Sequence, residues 1–160
     1  IGIIQDKDAK ERTEALFVIG AIGPGASAAV PAALAALADA DMQVQQTAAY
    51  ALGKIGPAAK DSAAALKKLT ASSDDFVKMT ALWALLQLGP PSEDLVKTAL
   101  PLLTTALTND REMVRVEAAM SLGKLGKAAA TSLPALEKAR QDSSAHVRSA
   151  VEEAIKAIKG

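Results

Sequence analysis

The sequence predicts an all-α solenoid of stacked helix pairs, and three observations predict it. The first is an internal period. Ala51-Leu52-Gly53-Lys54-Ile55-Gly56 recurs as Ser121-Leu122-Gly123-Lys124-Leu125-Gly126, with variants at Val18-Ile19-Gly20-Ala21-Ile22-Gly23 and Leu85-Leu86-Gln87-Leu88-Gly89. The closing glycines fall at 23, 56, 89 and 126 and the next register position is Lys159, so the steps are 33, 33, 37 and 33 residues. Repeats of this length are single supersecondary units that bury their apolar faces against their neighbours. The second observation is helical periodicity. With Val44 at zero and 100° per residue, Ala48, Ala51, Leu52 and Ile55 fall within about 80° of it. Val77, Ala81, Ala84, Leu85 and Leu88 repeat that stripe, and so do Val114, Ala118, Ser121, Leu122 and Leu125. The third is composition: half of the 160 residues are hydrophobic but only four are aromatic. The core is therefore small and aliphatic, rich in the best helix formers.

The units run 1–23 (partial), 24–56, 57–89, 90–126 and 127–160, about four and a half helix pairs of ~33 residues in a single domain. In each, helix A carries the Ala-Leu run around a proline column of Pro31, Ala64, Pro101 and Pro134. A polar turn follows, with Asp6, Asp39, Ser72, Asn109 and Asp142 in one register and Asp8, Asp41, Asp74, Arg111 and Ser144 two residues on. Their side-chain oxygens suit turns and helix N-caps; Arg111 breaks the second column, and Asp110 is expected to cap in its place. Helix B then runs to the closing glycine, which is expected to supply a left-handed C-cap, with Pro24, Pro57 and Pro90 preventing continuation. The fourth unit is four residues longer, and Ser92-Glu93-Asp94-Leu95 reads as an extra first turn of its helix A with Ser92 as N-cap. The first unit retains little of its helix A, since residue 1 aligns with residue 34, so its helix B is expected to have an uncovered flank. Further repeats upstream, or a second copy of the chain, are expected there. In the last unit Lys156, Lys159 and Glu153 replace apolar or glycine positions and read as a polar terminal cap.

Composition also excludes. Lys plus Arg and Asp plus Glu both number 18, which argues against nucleic acid as the partner. There is no cysteine, hence no disulfide, thiolate metal site or cysteine nucleophile; compartment stays open. Residues 15–38 hold no charged side chain, but Gly23-Pro24-Gly25 punctuates them, and membrane insertion is not expected. Ile1–Ile4 is too short for a signal-peptide core.

The pattern Asn109…Val114-Arg115-Val116-Glu117-Ala118-Ala119-Met120-Ser121-Leu122-Gly123 resembles the HEAT-like repeats named after phycobilisome lyases, and the resemblance extends over nearly the whole chain. It implies a right-handed α-α superhelix of the armadillo/HEAT type, whose B helices line the concave side. Ankyrin repeats would want a Thr-Pro-Leu-His start and tetratricopeptide repeats more aromatics. The resemblance also implies that the basic column Arg12, Gln45, Lys78, Arg115 and Arg148 reaches turn carboxylates of neighbouring units as a stabilising ladder.

No catalytic constellation is found. His146 is the only histidine and reads as a surface residue near a helix N-terminus, so neither a metal site nor a triad is expected. Gly20, Gly23 and Gly25 end a helix instead of opening one after a strand, so they are not a phosphate loop. No pair of carboxylates is placed for acid/base work, and no cofactor is expected. The face of helix B opposite the core stripe is different, because all four aromatics lie on it. Phe17, Tyr50 and Trp83 share one register, continued by Met120 and Glu153; Phe76 and Met113 share a second; Met79 and Val116 share a third. With the concave placement that the resemblance implies, Phe17, Tyr50, Phe76, Met79, Trp83, Met113, Val116 and Met120 are expected to form an exposed apolar surface that binds a protein or peptide. Self-association through the uncovered N-terminal flank is a second expected contact. The alternative is a subunit of a bilin lyase or isomerase, which would need acid/base groups on that face. A HEAT-type DNA glycosylase would need a basic groove with several tryptophans.

Overall fold

The computed structural model describes residues 6–160; the expectations placed on Ile1–Ile4 lie outside them. Among the described residues every regular element is helical. The B helices are α1 (Ala9–Ile22), α3 (Met42–Ile55), α5 (Asp75–Gln87), α7 (Glu112–Leu125) and α9 (Ala145–Lys159). The A helices are α2 (Val30–Ala36), α4 (Ala63–Leu69), α6 (Glu93–Ala106) and α8 (Leu133–Ala139). The chain forms two compact units, one ending at Pro90 and one beginning at Pro91. In the first, α1 packs on α3, α3 on α5, and α2 and α4 back the B helices that follow them. In the second, α6 and α8 back α7 and α9, which pack on each other.

The polar turns work as their chemistry requires. Asp6, Asp39, Asn109 and Asp142 each accept the N–H two residues on at 2.9 Å, and Ser72 does so at 3.2 Å. The next column caps the helices: Asp41 accepts from Gln43 and Val44 N–H at 2.8 and 3.2 Å, and Asp74 from Phe76 and Val77 N–H at 2.8 and 3.0 Å. Asp8 and Ser144 cap α1 and α9. Helix α7 departs from the expectation. Its N-cap residue is Arg111, not Asp110, and Arg111 makes no side-chain cap hydrogen bond. An Asp one residue early cannot place its carboxylate over the N2 and N3 amides, which is what capping demands.

The basic column acts across turns where it is arginine. Arg12 Nε and Nη2 donate to Asp39 Oδ2 and Oδ1, both at 2.8 Å, while Nη1 donates to the Asp6 and Lys7 carbonyls. Arg115 repeats this on Asp142 at 2.7 and 3.0 Å. These bidentate bonds hold the carboxyls of Asp39 and Asp142 below their ordinary values. Gln45 reaches only the Asp39 carbonyl, Lys78 pairs with Asp75 in its own helix, and Arg148 bonds carbonyls of its own turn.

Helix A is not one rod in most repeats. Gly23–Ala29, Gly56–Ser62 and Gly126–Ser132 are 3-10 segments leading into α2, α4 and α8. Gly23, Gly56 and Gly126 take φ of +64°, +73° and +55°. Their ψ lies between −131° and −137°, so this is not the left-handed helical cap expected, but another region that glycine alone enters cheaply. Pro24 and Pro57 disfavour helical ψ on the residue before them; Gly126, followed by Lys127, adopts the same conformation without that constraint. Because Gly23 breaks the chain there, Ala9–Ala36, long and apolar enough in composition to pass for a membrane span, contains α1 of 14 residues and α2 of 7. The fourth repeat differs. α6 is a single helix of 14 residues, with Ser92 capping through Leu95 N–H at 3.2 Å and Pro101 carried inside it. The extra turn of sequence replaces the 3-10 lead-in, and Gly89 has no positive φ.

The core stripes are buried as their period requires, with Val44, Ala48, Ala51, Leu52, Val114, Ala118 and Leu122 fully inaccessible. Leu16, Leu66, Leu103 and Leu136 complete the layers between helices A and B.

Candidate functional site

The expected surface residues divide between the two units. In the unit ending at Pro90, Phe17, Tyr50 and Trp83 come from α1, α3 and α5 at one register and stack. The Phe17 and Tyr50 rings are 6.4 Å apart at 11°, and Tyr50 and Trp83 are 5.6 Å apart at 15°. Such offset contacts add to simple area burial. The Tyr50 and Trp83 rings each rest on a glycine of the preceding B helix. A Cβ on Gly20 would stand 3.0 Å from Tyr50 Cε1, and one on Gly53 would overlap the Trp83 ring. The glycines of the repeat signature thus serve as seats for the aromatics of the next repeat. Their fixed spacing in the sequence is the available signal, but on its own it indicates only helix punctuation. Phe17 at the end of the stack is 61% exposed, while Tyr50, Trp83 and Phe76 are half-buried.

Met79 corrects the expectation: it is 2% exposed and is no part of an open surface. The buried residues of α5 also include Thr80, Leu82 and Leu86 besides its core stripe, so this helix is covered around most of its circumference. A helical wheel drawn with one buried face assigns Met79 to solvent.

In the unit beginning at Pro91, Met113 and Met120 of α7 are 54% and 51% exposed and Val116 is half-buried. Val116 and Met120 line a groove of about 590 Å³ between α7 and α9, together with Gly123, His146, Ser149, Ala150, Glu153, Ala154 and Ala157. His146 lies exposed in the first turn of α9, where its Nδ1 is 3.0 Å from Glu112 Oε1. Ser144 Oγ donates to the same oxygen at 2.8 Å, and these bonds hold the Glu112 carboxyl below its ordinary value. Glu117, on α7, was not singled out by its sequence position. Its Oε2 is buried without a hydrogen-bond partner, and burial pushes its carboxyl up to about 7. A more polar hollow of about 830 Å³ lies by the polar turns, beside Arg115 of α7 and Asp142, which are bound to each other. Among the described residues no group of His, Asp and Glu is placed to hold a metal ion.

The HEAT-repeats family model matches residues 1–86 and 77–156. No curated protein matches in sequence. Solved structures share the fold. An engineered protein superposes with a TM-score of 0.68 at 23% identity, over 99% of this chain and 77% of its own. A designed armadillo repeat protein in complex with the peptide (KR)4 gives 0.65 at 21%, over 98% and 79%. Kap121p bound to Nup53p gives 0.68 at 19%, over 98% of this chain and 18% of that much longer one.

Proposed function

The chain belongs to the HEAT-repeat family, and from that premise we propose that it is a non-catalytic scaffold binding a protein or peptide on the face formed by its B helices. The observation that carries this reading is the ladder Phe17–Tyr50–Trp83, stacked at 6.4 and 5.6 Å yet partly open to solvent. Rings held rigid by their neighbours lose little entropy when a partner covers them, which makes them good anchors. In the unit beginning at Pro91, the exposed Met113 and Met120 of α7 offer adaptable apolar contact of their own. Structures of the same fold include a peptide complex and a nucleoporin complex, which supports a polypeptide partner. Selection from a displayed peptide library is the test. Binders whose affinity falls at least tenfold on Trp83→Ala, measured at a temperature where circular dichroism shows the variant folded, are the expected result; failure to select any peptide from diverse libraries would remove the reading.

A second contact is proposed at α1, where Val18 and Ile22, one turn apart on one face, are 56% and 58% exposed beside Phe17 at 61%; a second copy of the chain covering them would bury this apolar surface. The narrower kinship with the phycobilisome-lyase type rests on the Val114-Arg115…Leu122-Gly123 signature. A bilin-attaching role would show as an absorbance shift on adding bilin.

A further inference from the structure

The aromatic ladder defines a seat, and the same seat recurs without its ring. In the unit ending at Pro90, the backbone of the next B helix approaches each signature glycine, Ala51 Cα at 3.4 Å from a Cβ placed on Gly20 and Ala84 Cα at 3.0 Å from one on Gly53. Over each glycine lies the ring of the residue just before that alanine, Tyr50 or Trp83, and both glycines are buried. Gly123 has the same floor: Ala154 Cα would be 3.0 Å from its Cβ. The residue before Ala154, however, is Glu153, and no ring lies over Gly123, which is half-open. The space is the groove of about 590 Å³ walled by Met120, Val116 and Ala150, with Glu153 among its lining residues.

We propose that this groove seats the side chain of a tryptophan or tyrosine from a partner polypeptide, its ring over Gly123 and Ala154 and its N–H or O–H donating to Glu153. This names the partner chemistry of the scaffold reading and rests on it. The chain itself supplies the precedent, since Tyr50 and Trp83 occupy the corresponding seats on Gly20 and Gly53. The polar complement comes from Glu153, the carboxylate that lines the groove. Glu153 is exposed and makes no ion pair among the described residues; an ionised carboxylate only accepts. The other ionisable group lining the groove, His146, is turned to Glu112 at 3.0 Å. An occupant with a donor on a flat apolar body meets both demands, whereas an anionic occupant meets Glu153 with like charge. Met120, whose thioether makes favourable contacts with aromatic rings, lines the groove and favours an aromatic over an aliphatic guest.

The test is titration of the intact chain with N-acetyltryptophanamide and N-acetyltyrosinamide, followed by amide-resolved NMR, with N-acetylleucinamide as control. Saturable shifts at Gly123, Ala150, Ala154 and Ala157, with dissociation constants on the order of 1–10 mM for a single side chain, are expected, and the leucine compound should bind at least tenfold more weakly. Glu153→Ala should weaken the aromatic compounds several-fold. Glu153→Trp should fill the seat with its own indole, abolish the shifts and leave the melting temperature equal or higher, which separates occlusion from unfolding. Four outcomes would overturn the proposal: no shifts, equal shifts with the leucine compound, binding that survives Glu153→Trp, or the same amides shifting with protein concentration alone, which would put a second copy in the groove. Peptides selected by the chain that leave these amides unmoved, with both aromatic amides inert, would sink this inference alone; saturable seating of the aromatic amides with no selectable peptide would sink the scaffold reading alone.

Discussion

Glu117 stands where the neighbouring repeats have Thr47, Thr80 and Ala150, and its carboxyl is pushed up to about 7 by burial, with Oε2 unpartnered. A carboxyl raised in the folded state holds its proton after the unfolded chain has lost it. Its contribution is therefore fully present below the unfolded value, and stability falls as pH rises from there through about 7. Each unit of that displacement corresponds to about 1.4 kcal/mol, so the ionised form costs on the order of 3 kcal/mol. Glu117→Gln is expected to flatten this dependence: urea unfolding of the variant should match wild type near pH 4 and exceed it by roughly 2–3 kcal/mol at pH 8.5. Gly53 gives a second prediction at this scale. A Cβ there would overlap the Trp83 ring and stand 3.0 Å from Ala84 Cα. Gly53→Ala should thus lower stability by about 1–3 kcal/mol despite the better helix propensity of alanine, with part of the loss recovered when Trp83→Leu is added. The turn columns were legible from single residues because an Asx turn or an N-cap needs only its own next few amides. The burial of Met79 was not, since it depends on how much of the helix circumference neighbours cover.

Along a single helix, the two faces of α7 carry opposite roles. Leu122 is fully buried in the stripe shared with Val114 and Ala118, while Met120, two residues away, is 51% exposed at the groove. Leu122→Ala is expected to cost about 2–4 kcal/mol through the cavity it leaves, and Met120→Ala under about 1 kcal/mol while weakening partner binding. Chemical denaturation of the two variants checks the contrast; equal losses would mean that α7 has no face free of structural duty. The helical period was enough to predict this division, because α7 has one core stripe. The helix A elements were harder to read. The proline column placed them, but whether a repeat opens with a 3-10 segment or a continuous helix turns on four residues. With Ser92-Glu93-Asp94-Leu95 present, a capped α-helical turn forms and Pro101 falls inside α6; without them, the glycine at the end of helix B reverses φ and a 3-10 lead-in follows. The ring seats on Gly20 and Gly53 escaped the sequence reading for a related reason. A glycine column reports a close approach but not which side chain makes it.

For the whole molecule, the repeat period of 33 residues specified the architecture before any residue contact was known, and structures at 19–23% identity share it over 98–99% of the chain. Low identity with a common fold is what repeat packing permits, because each helix pair needs only small apolar residues at the stripe positions and turn formers between them. The surfaces left by that packing are where chains of this fold differ. On α1 the surface is apolar: Phe17, Val18 and Ile22 are each more than half exposed, whereas α9 ends in Lys156 and Lys159. Burying one such strip against another is worth about 25 cal/mol per Å² of apolar area, against the several kcal/mol that association costs in lost freedom. A few side chains on one helix set against that cost make the expected association weak. Sedimentation velocity is expected to show reversible self-association at high micromolar concentration, and Val18→Glu with Ile22→Lys should abolish it while leaving the melting temperature within about 2 °C, since both side chains already face solvent. A chain that stays monomeric at millimolar concentration, or a double variant that associates as wild type does, would remove α1 as the contact and leave its exposed apolar strip without an interaction role.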